Sequence, residues 1–309
     1  MKSVPDVSVV MSVYNADATL ESTLLSILNQ QNRSFEFIVV NDGSSDRSAA
    51  ILDDFAEKYS QLQVIHQQNT GLTRALILGC AMAQGAFIAR QDAGDISLPG
   101  RLAQQLAFMQ AHPEAVMTAC GVEFRGPRDE VLYDLTRPSS QLDAGLHATT
   151  MEQLRGPPHH GATMFRRDAY LAVGGYRLPF VVAQDLDLWL RLAEVGRCLG
   201  MNEVMYAARH ELGSISSQRR GDQFKLARLA LAARAARLAG SDDAQVLATR
   251  HFEYAGKAPP GRAERARFHY FVGTCLRRRS PRLARDYFAR ALRDNPFHFK
   301  ALAHWMMSR

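Results

Sequence analysis

The chain has 309 residues, 47% of them hydrophobic, with a formal net charge of +6. This size allows one large domain, or a large domain with an appendage, and a full core. Its four cysteines form no Cys-x-x-Cys pair, which argues against structural zinc and a disulfide framework. Because the N-terminus lacks a signal-peptide core and no stretch approaches the ~20 apolar residues of a membrane span, we expect a cytoplasmic protein.

The first part of the chain alternates apolar runs with helical patterns. Val7–Val13 is β-branched and apolar, as a strand buried on both faces should be. Apolar residues then recur at helical spacing between Leu20 and Leu28, with Asp17 as a candidate N-cap. Further strands are predicted at Phe35–Val40, Val64–His66 and Phe87–Ala89, with a helix from Leu72 to about Met82. The succession predicts an α/β, doubly wound and mostly parallel sheet.

The end of the first strand lacks the dinucleotide fingerprint. The segment Ser12–Asp17 has none of the glycines of a G-x-G-x-x-G turn, which argues against a nicotinamide dehydrogenase. It offers instead an aromatic side chain, Tyr14, and an amide, Asn15. These suit stacking on a nucleobase and hydrogen bonding to it, although Tyr14 as a packing residue at a strand end is the alternative.

Two aspartates follow the strand at Phe87–Ala89. Asp92 and Asp95 stand on a tight turn where the carboxyl end of a strand is expected to meet ligands. Closely spaced carboxylates suit a hard divalent cation that carries phosphates. The alternative is a polar surface loop with a glycine turn, since short motifs are weak evidence when taken alone.

Several motifs in one order resemble family 2 glycosyltransferases of the GT-A type, over about the first 210 residues. The motifs are Val7–Asn15, Val39–Asp46, Asn69–Gly71, Arg90–Arg101, His159–Arg167, Gly174–Tyr176 and Gln184–Leu192. Each motif is weak alone, but the ordered set is specific. The resemblance implies a nucleotide-sugar-binding GT-A domain with helices on both faces of a mixed, mostly parallel sheet.

The resemblance also implies residues that bind the donor. Ser12, Tyr14 and Asp42 would line the nucleoside pocket beside Asn15, with Asp42 accepting hydrogen bonds from the base. An Asp-Gly turn is the structural alternative for Asp42, and both roles are compatible. Arg74, Arg90 and Asp92 are the candidates near the diphosphate. Either arginine is equally well explained as a solvated surface charge.

Asp185 is the candidate catalytic residue. The matching aspartate of the family is a general base, which removes the proton of the acceptor hydroxyl while that oxygen attacks the anomeric carbon and inverts it. Asp185 opens an amphipathic helical pattern that would hold it rigidly at the cleft. A helix N-cap or a first-turn acid favoured by the helix dipole is the alternative.

The turn after the fourth strand departs from the family pattern. Family members usually have Asp-Ala-Asp-Asp, in which the third position is the metal ligand, whereas this chain has Gly94 there. A Mg²⁺ or Mn²⁺ ion would then rely on Asp92 and the diphosphate, with Asp95 or water in addition. A weak or metal-independent enzyme is the alternative.

Three aromatic side chains are candidates for the acceptor site: His159, His160 and Trp189. The sequence identifies no further ligands that would make the two histidines a metal site, and adjacent residues on a strand point to opposite faces. We therefore expect acceptor contacts or packing from them.

The C-terminal part is basic. Residues 1–209 contain 17 Lys and Arg against 23 Asp and Glu, whereas residues 210–309 contain 20 against 8. With a linker-like stretch at Gly213–Ser217, this predicts a transferase domain over residues 1–212 and a helical region over residues 213–309. The pattern from Ala284 to Pro296 matches the second helix of a tetratricopeptide-like unit, whereas Gly273 is one residue off the position expected before it. The arginines would meet an anionic membrane surface or only solvent, and no nucleic acid is expected because stacking aromatics are sparse.

The sequence thus favours an inverting glycosyltransferase with a UDP-, dTDP- or GDP-sugar donor. A glycan or lipid-linked acceptor is expected, in the synthesis of cell-surface polysaccharide or lipopolysaccharide, with a peripheral location on the inner face of the membrane. The alternative is an interaction protein that has lost turnover through Gly94 and acts through its helical tail.

Overall fold

The computed structural model describes residues 4–31, 34–213, 219–248 and 259–308. The chain forms two compact units. Unit 1 comprises residues 1–122, 135–208 and 221–254, and unit 2 comprises residues 123–134, 209–220 and 255–309. The sequence predicts a boundary between residues 212 and 213. The two compact units are divided differently, because residues 221–254, which follow that boundary, belong to unit 1. The predicted linker at Gly213–Ser217 lies largely outside the described residues.

A parallel four-strand half of the sheet begins unit 1. Its strands are β1 (Val7–Val13), β2 (Phe35–Asp42), β3 (Leu62–Gln67) and β4 (Phe87–Asp92), and they are joined by helices α1 (Asp17–Leu28), α2 (Ser48–Lys58) and α3 (Leu72–Met82). β1 lies between β2 and β4, and β2 pairs with β3, all in parallel. The apolar runs and the alternation predicted from the sequence are confirmed.

Antiparallel strands extend the sheet beyond β4. They are β5 (Ile96–Ser97), β6 (Ala115–Arg125), β7 (Val131–Leu135), β8 (Thr163–Arg166) and β9 (Arg197–Arg209). The intervening helices are α4 (Arg101–Ala111), α5 (Ser139–Leu146), α6 (Arg167–Ala172) and α7 (Gln184–Leu192). The strand order is β3-β2-β1-β4-β8-β6-β9-β5, with β7 paired to β6. β8 runs antiparallel to both β4 and β6, which makes the sheet mixed.

The core of unit 1 packs helices against the parallel strands. Val9, Phe37 and Ala89 of the sheet and Leu24 of α1 are fully buried in one apolar cluster. One local prediction is wrong: Asp17 is the first residue of α1 rather than its N-cap, which is Ala16. The backbone N–H of Asp17 donates to Asp46 Oδ2 at 3.1 Å, so a residue from the next loop satisfies this end of the helix.

Helices dominate the rest of the chain. α8 (Arg220–Leu238) and α9 (Ala244–Ala248) belong to unit 1, whereas α10 (Arg262–Leu276), α11 (Pro281–Asp294) and α12 (Phe299–Met307) belong to unit 2. Phe288 and Ala284 of α11 pack with Val272 of α10 and with Leu132 in a second apolar cluster. The helical C-terminal region expected from the sequence is confirmed. Among the described helices none combines the length and the apolar composition that crossing a bilayer requires.

Candidate active site

The carboxyl ends of three parallel strands bring the first candidate residues together. In the register of the sheet, Ser12 of β1 lies between Val40 of β2 and Asp92 of β4. The loops after these strands therefore leave from one edge of the sheet. In open α/β sheets this edge is where ligands bind.

Tyr14 stands exposed at this edge. Its side chain is 39% exposed, and it is followed by Asn15 in a left-handed conformation with φ of 50°. Asn15 fixes the loop after β2, because its N–H donates to Ser44 Oγ at 3.0 Å and its Oδ1 accepts from the N–H of Ser45 at 2.8 Å. The amide thus connects two loops, and the tyrosine ring is left open to a planar ligand.

Asp42 is buried and holds the loop before α3. Its Oδ1 accepts from Gln67 Nε2 at 2.6 Å and from the N–H of Thr70 at 2.9 Å, and its Oδ2 accepts from the N–H of Gly71 at 2.9 Å. The carboxylate therefore has a structural task at the place where the sequence suggests a contact with the base. Arg74 is exposed in the first turn of α3, next to this loop.

The turn after β4 requires glycine at position 94. Gly94 has φ of 98°, a conformation that other residues adopt only with strain, and its N–H donates to Thr23 Oγ1 at 3.1 Å. The N–H of Asp95 donates to the carbonyl of Asp92 at 3.3 Å, which closes the turn. The missing family carboxylate therefore coincides with a backbone shape that favours glycine.

His159 joins the two aspartates. Its Nδ1 lies 3.6 Å from Asp95 Oδ2 and 3.8 Å from Asp92 Oδ2, and one ligand atom from each of the three residues falls within 4.8 Å of the others. Tyr206 fixes the group, since its hydroxyl donates to Asp95 Oδ2 at 2.9 Å and its ring stacks on His159. Two carboxylates and an imidazole suit a divalent cation such as Mn²⁺.

The sequence did not predict this association. His159 is 64 residues beyond Asp95 and precedes a 3₁₀ turn, His160–Ala162, rather than lying on a strand as we expected. Tyr206 lies on β9 and carried no sequence signal. Both come to the cluster only because antiparallel strands beyond β4 fold back beside it.

Arg90 holds Asp92 in place by a hydrogen bond from its buried side chain. Its side chain is completely buried and donates to the carbonyl of Val10, to Asp92 Oδ1 at 2.9 Å and to His160 Nε2 at 3.3 Å. Burial is the largest single influence on Asp92 and opposes its ionisation, but Arg90 and the smaller contributions from His160, His159 and Arg101 together outweigh it, so the pKa of Asp92 is lowered. Arg90 is thus neither a solvated surface charge nor open to a diphosphate in this structure.

His160 and Trp189 pack beneath the cluster. His160 is 8% exposed, its Nε2 accepts from the hydroxyl of Tyr176 at 2.7 Å, and its ring meets that of Trp189 edge to face. Burial first, and then the charge of Arg90, lower the pKa of His160 to about 3. Both side chains are buried among their neighbours, which agrees with the packing alternative considered for the histidines, and the acceptor role of His160 and Trp189 stays a prediction.

Asp185 lies in the first turn of α7 and interacts electrostatically with the cluster. Its Oδ1 accepts from the N–H of Leu186 at 2.8 Å. Burial raises the pKa of Asp185, the hydrogen bond from Leu186 lowers it, and the negative charge of Asp92 raises it further. His159 also acts electrostatically on this carboxyl, so Asp185 is in interaction range of two of the three clustered residues, Asp92 and His159.

Asp187, two residues on, has a different environment. It is 1% exposed and is held by two guanidinium groups, those of Arg177 and Arg191, the second at 2.6 Å. These ion pairs fix α7 to the segment before it. The helix therefore carries one acid locked in ion pairs and one acid, Asp185, half-buried beside the cluster.

Comparison with known proteins agrees with this arrangement. The model of the family described as "Glycosyl transferase family 2" matches residues 8–173. The chain is 34% identical over 223 residues to "Putative glycosyltransferase EpsE" of Bacillus subtilis, covering 68% of this chain and 75% of that protein. It is 32% identical over 193 residues to "Amylovoran biosynthesis glycosyltransferase AmsE" of Erwinia amylovora, covering 61% and 70%.

Solved structures with the same fold come from more distant sequences. S. aureus TarS residues 1–349 superpose with a TM-score of 0.57 at 14% identity, covering 98% of this chain and 88% of that one. The mannosyltransferase PcManGT of Pyrobaculum calidifontis, in complex with GDP-Man and Mn²⁺, gives a TM-score of 0.56 at 19% identity, covering 99% and 80%. At these identities the likeness shows the fold, and the predicted GT-A architecture is confirmed.

Proposed function

Because the chain belongs to glycosyl transferase family 2, we propose that it transfers a sugar from a nucleotide-sugar donor to a hydroxyl of a glycan or lipid-linked acceptor, with inversion. The observation that carries the proposal is the cluster of Asp92, Asp95 and His159 at the ligand-binding edge of the sheet, with Asp185 in electrostatic range of Asp92 and His159. The names of the relatives, which include amylovoran and O-antigen biosynthesis, support a role in cell-surface polysaccharide synthesis. They do not support the alternative of an interaction protein without turnover.

The donor would lie along the edge of the sheet. Tyr14 stacks on the base, while Ser12, Asn15 and Asp42 shape the nucleoside pocket and Arg74 faces the phosphates from α3. Arg90 contributes by holding Asp92. Solved neighbours bind UDP or UDP-GlcNAc in one case and GDP-Man in the other, which supports a UDP-, dTDP- or GDP-sugar here.

A divalent cation fits the donor set at the turn. Asp92, Asp95 and His159 would hold Mn²⁺ or Mg²⁺, which when bound neutralises charge on the departing nucleoside diphosphate. The fixed contacts of the two carboxylates favour such a group, because Arg90 orients Asp92 and Tyr206 orients Asp95. The Nδ1 of His159 accepts from the N–H of Gly161 at 3.2 Å, and a cation would take the place of this donor. With these three ligands, the site would need no aspartate at position 94 to hold the cation.

Asp185 would act as the general base. It takes the proton of the acceptor hydroxyl, the acceptor oxygen bonds to the anomeric carbon, and the bond from that carbon to the diphosphate oxygen breaks on the opposite side. The raised pKa makes Asp185 a stronger base than an exposed aspartate. Since the base must be ionised, turnover falls as the pH drops through this raised pKa.

Substitution of Asp185 tests the proposal. Asp185→Asn should lower kcat by about 10²- to 10⁴-fold, because the amide cannot take the proton, while donor binding stays unchanged. Release of nucleoside diphosphate is measured over a panel of donors with Mn²⁺ or Mg²⁺ and acceptor extract.

A matched control exists in α6. Asp168→Asn alters an exposed first-turn aspartate whose Oδ1 likewise accepts from the next N–H, that of Ala169, at 2.7 Å. It should retain wild-type turnover. Near-normal turnover in Asp185→Asn would identify another base, and no release with any donor would remove the transferase proposal.

The proposal also covers the domain boundaries and the location of the protein. The domain that performs transfer is assigned to residues 1–212, with the helical region after it as a separate functional part. A cytoplasmic location, peripheral on the inner face of the membrane, stays a prediction that rests on the basic C-terminal charge.

A further inference from the structure

The helix α12 presents its large apolar side chains outward. Phe299, Leu302, Met306 and Met307 recur at i, i+3, i+7 and i+8 and so share one face. Phe299 is 74% exposed, Met307 is 71% exposed, and Phe297 just before the helix is 77% exposed. The opposite side carries Ala301, which is buried against α10 and α11. This orientation is the reverse of an ordinary surface helix, whose apolar stripe faces the core.

Cationic side chains flank this apolar face. Arg277 Nη1 lies 3.2 Å from His304 Nε2, and the guanidinium of Arg285 lies 4.7 Å above the ring of Trp305. Lys300 is exposed on the helix itself. Residues 259–308 contain 11 Lys and Arg against 3 Asp and Glu, so the surroundings are strongly positive.

We propose that α12 is an interfacial anchor that lies in the surface of an anionic bilayer. Its exposed phenylalanine and methionines would enter the boundary of the acyl chains, while Arg277, Arg285 and Lys300 meet phosphate headgroups. Two copies of so basic a face would repel each other, which favours a lipid surface over self-association. The anchor uses no residue of the catalytic cluster and extends beyond the proposed transfer reaction.

Vesicle binding by the full chain tests the anchor. The protein should cosediment with vesicles of phosphatidylcholine mixed with phosphatidylglycerol, more weakly at high salt, and only slightly with phosphatidylcholine alone. The chain has two tryptophans, of which Trp189 is 6% exposed. A change of fluorescence on vesicle binding should therefore come from Trp305, which is partly buried beside the second apolar cluster, and Trp305→Phe should abolish that change.

A double variant that leaves the net charge unchanged distinguishes insertion of apolar side chains into the bilayer from electrostatic attraction to its surface. Phe299→Ser with Met306→Ser should lower the affinity for anionic vesicles about tenfold or more, because two apolar side chains no longer leave water. Leu171→Ser with Val195→Ser is the matched control, since both residues are apolar, about as exposed at 55% and 54%, and lie in unit 1. This control should bind like wild type.

Each contrary result overturns the anchor. Equal binding of wild type and of the Phe299/Met306 variant would leave only electrostatic attraction, and failure of wild type to bind anionic vesicles would exclude a lipid surface. Oligomers lost in that variant, without vesicle binding, would assign the face to self-association. Nucleoside diphosphate release in vesicle-free buffer is scored separately, so loss of transfer and loss of anchoring are distinguishable.

Discussion

Arg90 supplies positive charge to the cluster while remaining out of contact with solvent. Because Arg90 occupies Asp92 Oδ1, the other oxygen of Asp92 is the one that lies near His159. The same guanidinium favours the ionised form of Asp92 and the neutral form of His160. One buried residue therefore orients Asp92 and contributes to the protonation state of both neighbours, next to the effect of burial itself.

At the residue scale, His159 gives the sharpest test of the metal site. His159→Asn should raise the Mn²⁺ concentration needed for half-saturation by about 10- to 100-fold, because it removes one of the three proposed ligands of the cation. Mn²⁺ titration followed by electron paramagnetic resonance, with nucleoside diphosphate present, reports this directly. The control is His147→Asn, which changes an exposed histidine at the C-cap of α5. It should leave the titration unchanged. An unchanged titration in His159→Asn would contradict the assignment.

At the element scale, α7 is the helix that positions Asp185, the proposed general base. Its N-terminus follows Ala183 in a left-handed conformation, with φ of 57°, and its other end is tied back because Arg191 donates to the carbonyl of Val173 at 2.6 Å. Between the two ends of α7, Asp187 forms ion pairs with Arg177 and Arg191. The position of Asp185 thus depends on ion pairs one half-turn away from it.

Removal of the carboxylate at position 187 should therefore affect both stability and transfer. Asp187→Ala should reduce the free energy of unfolding by about 3–5 kcal/mol, because it removes the carboxylate that pairs with buried Arg191 and leaves Arg177 with Asp243 alone. Denaturant unfolding measures this loss, and kcat should fall as α7 loosens. Asp54→Ala, at an exposed acid of α2, is the control. Stability equal to wild type would show that these ion pairs contribute nothing net.

At the scale of the whole molecule, His160 makes unfolding sensitive to acid. The folded chain keeps His160 neutral down to a pKa of about 3, whereas the unfolded chain takes up this proton near the ordinary value of 6.5. Between these values the unfolded state binds one proton more. Stability therefore rises with pH across this window by about 1.4 kcal/mol per pH unit for this residue, and is lost as the pH falls.

A variant can isolate that contribution. His160→Gln should make the dependence of unfolding free energy on pH shallower by about one proton between pH 3 and pH 6.5, a window set by the same pKa. The glutamine variant is expected to be less stable at neutral pH, since the bonds from Tyr176 and Arg90 are altered. Urea unfolding over a pH series measures the slope, and an unchanged slope would contradict the role given to His160.

The sequence predicts the parallel half of this molecule well and the site only in part. Strands such as Val7–Val13 are recognisable because burial on both faces demands continuous apolar residues, and the predicted helix at Leu72–Met82 is confirmed. The sequence left Arg90 as a contact of the diphosphate or a surface charge, whereas it is buried because β4 continues past the predicted end at Ala89 to Asp92. The approach of His159 and Tyr206 was not, because it depends on how long antiparallel connections fold back, which local periodicity does not encode.

The carboxylate of Asp42 has a limited supply of lone pairs, about four in all. Three hydrogen bonds, from Gln67 Nε2, Thr70 N–H and Thr70 Oγ1, crowd Oδ1, while within the described residues Oδ2 accepts from the N–H of Gly71. A nucleobase N–H that approaches Asp42 thus shares Oδ2 with the amide that begins α3. An asparagine at this position would place its amide N–H₂ opposite a backbone N–H. Under the proposed donor binding, loop closure and selection of the nucleobase would therefore depend on the same oxygen and the same charge.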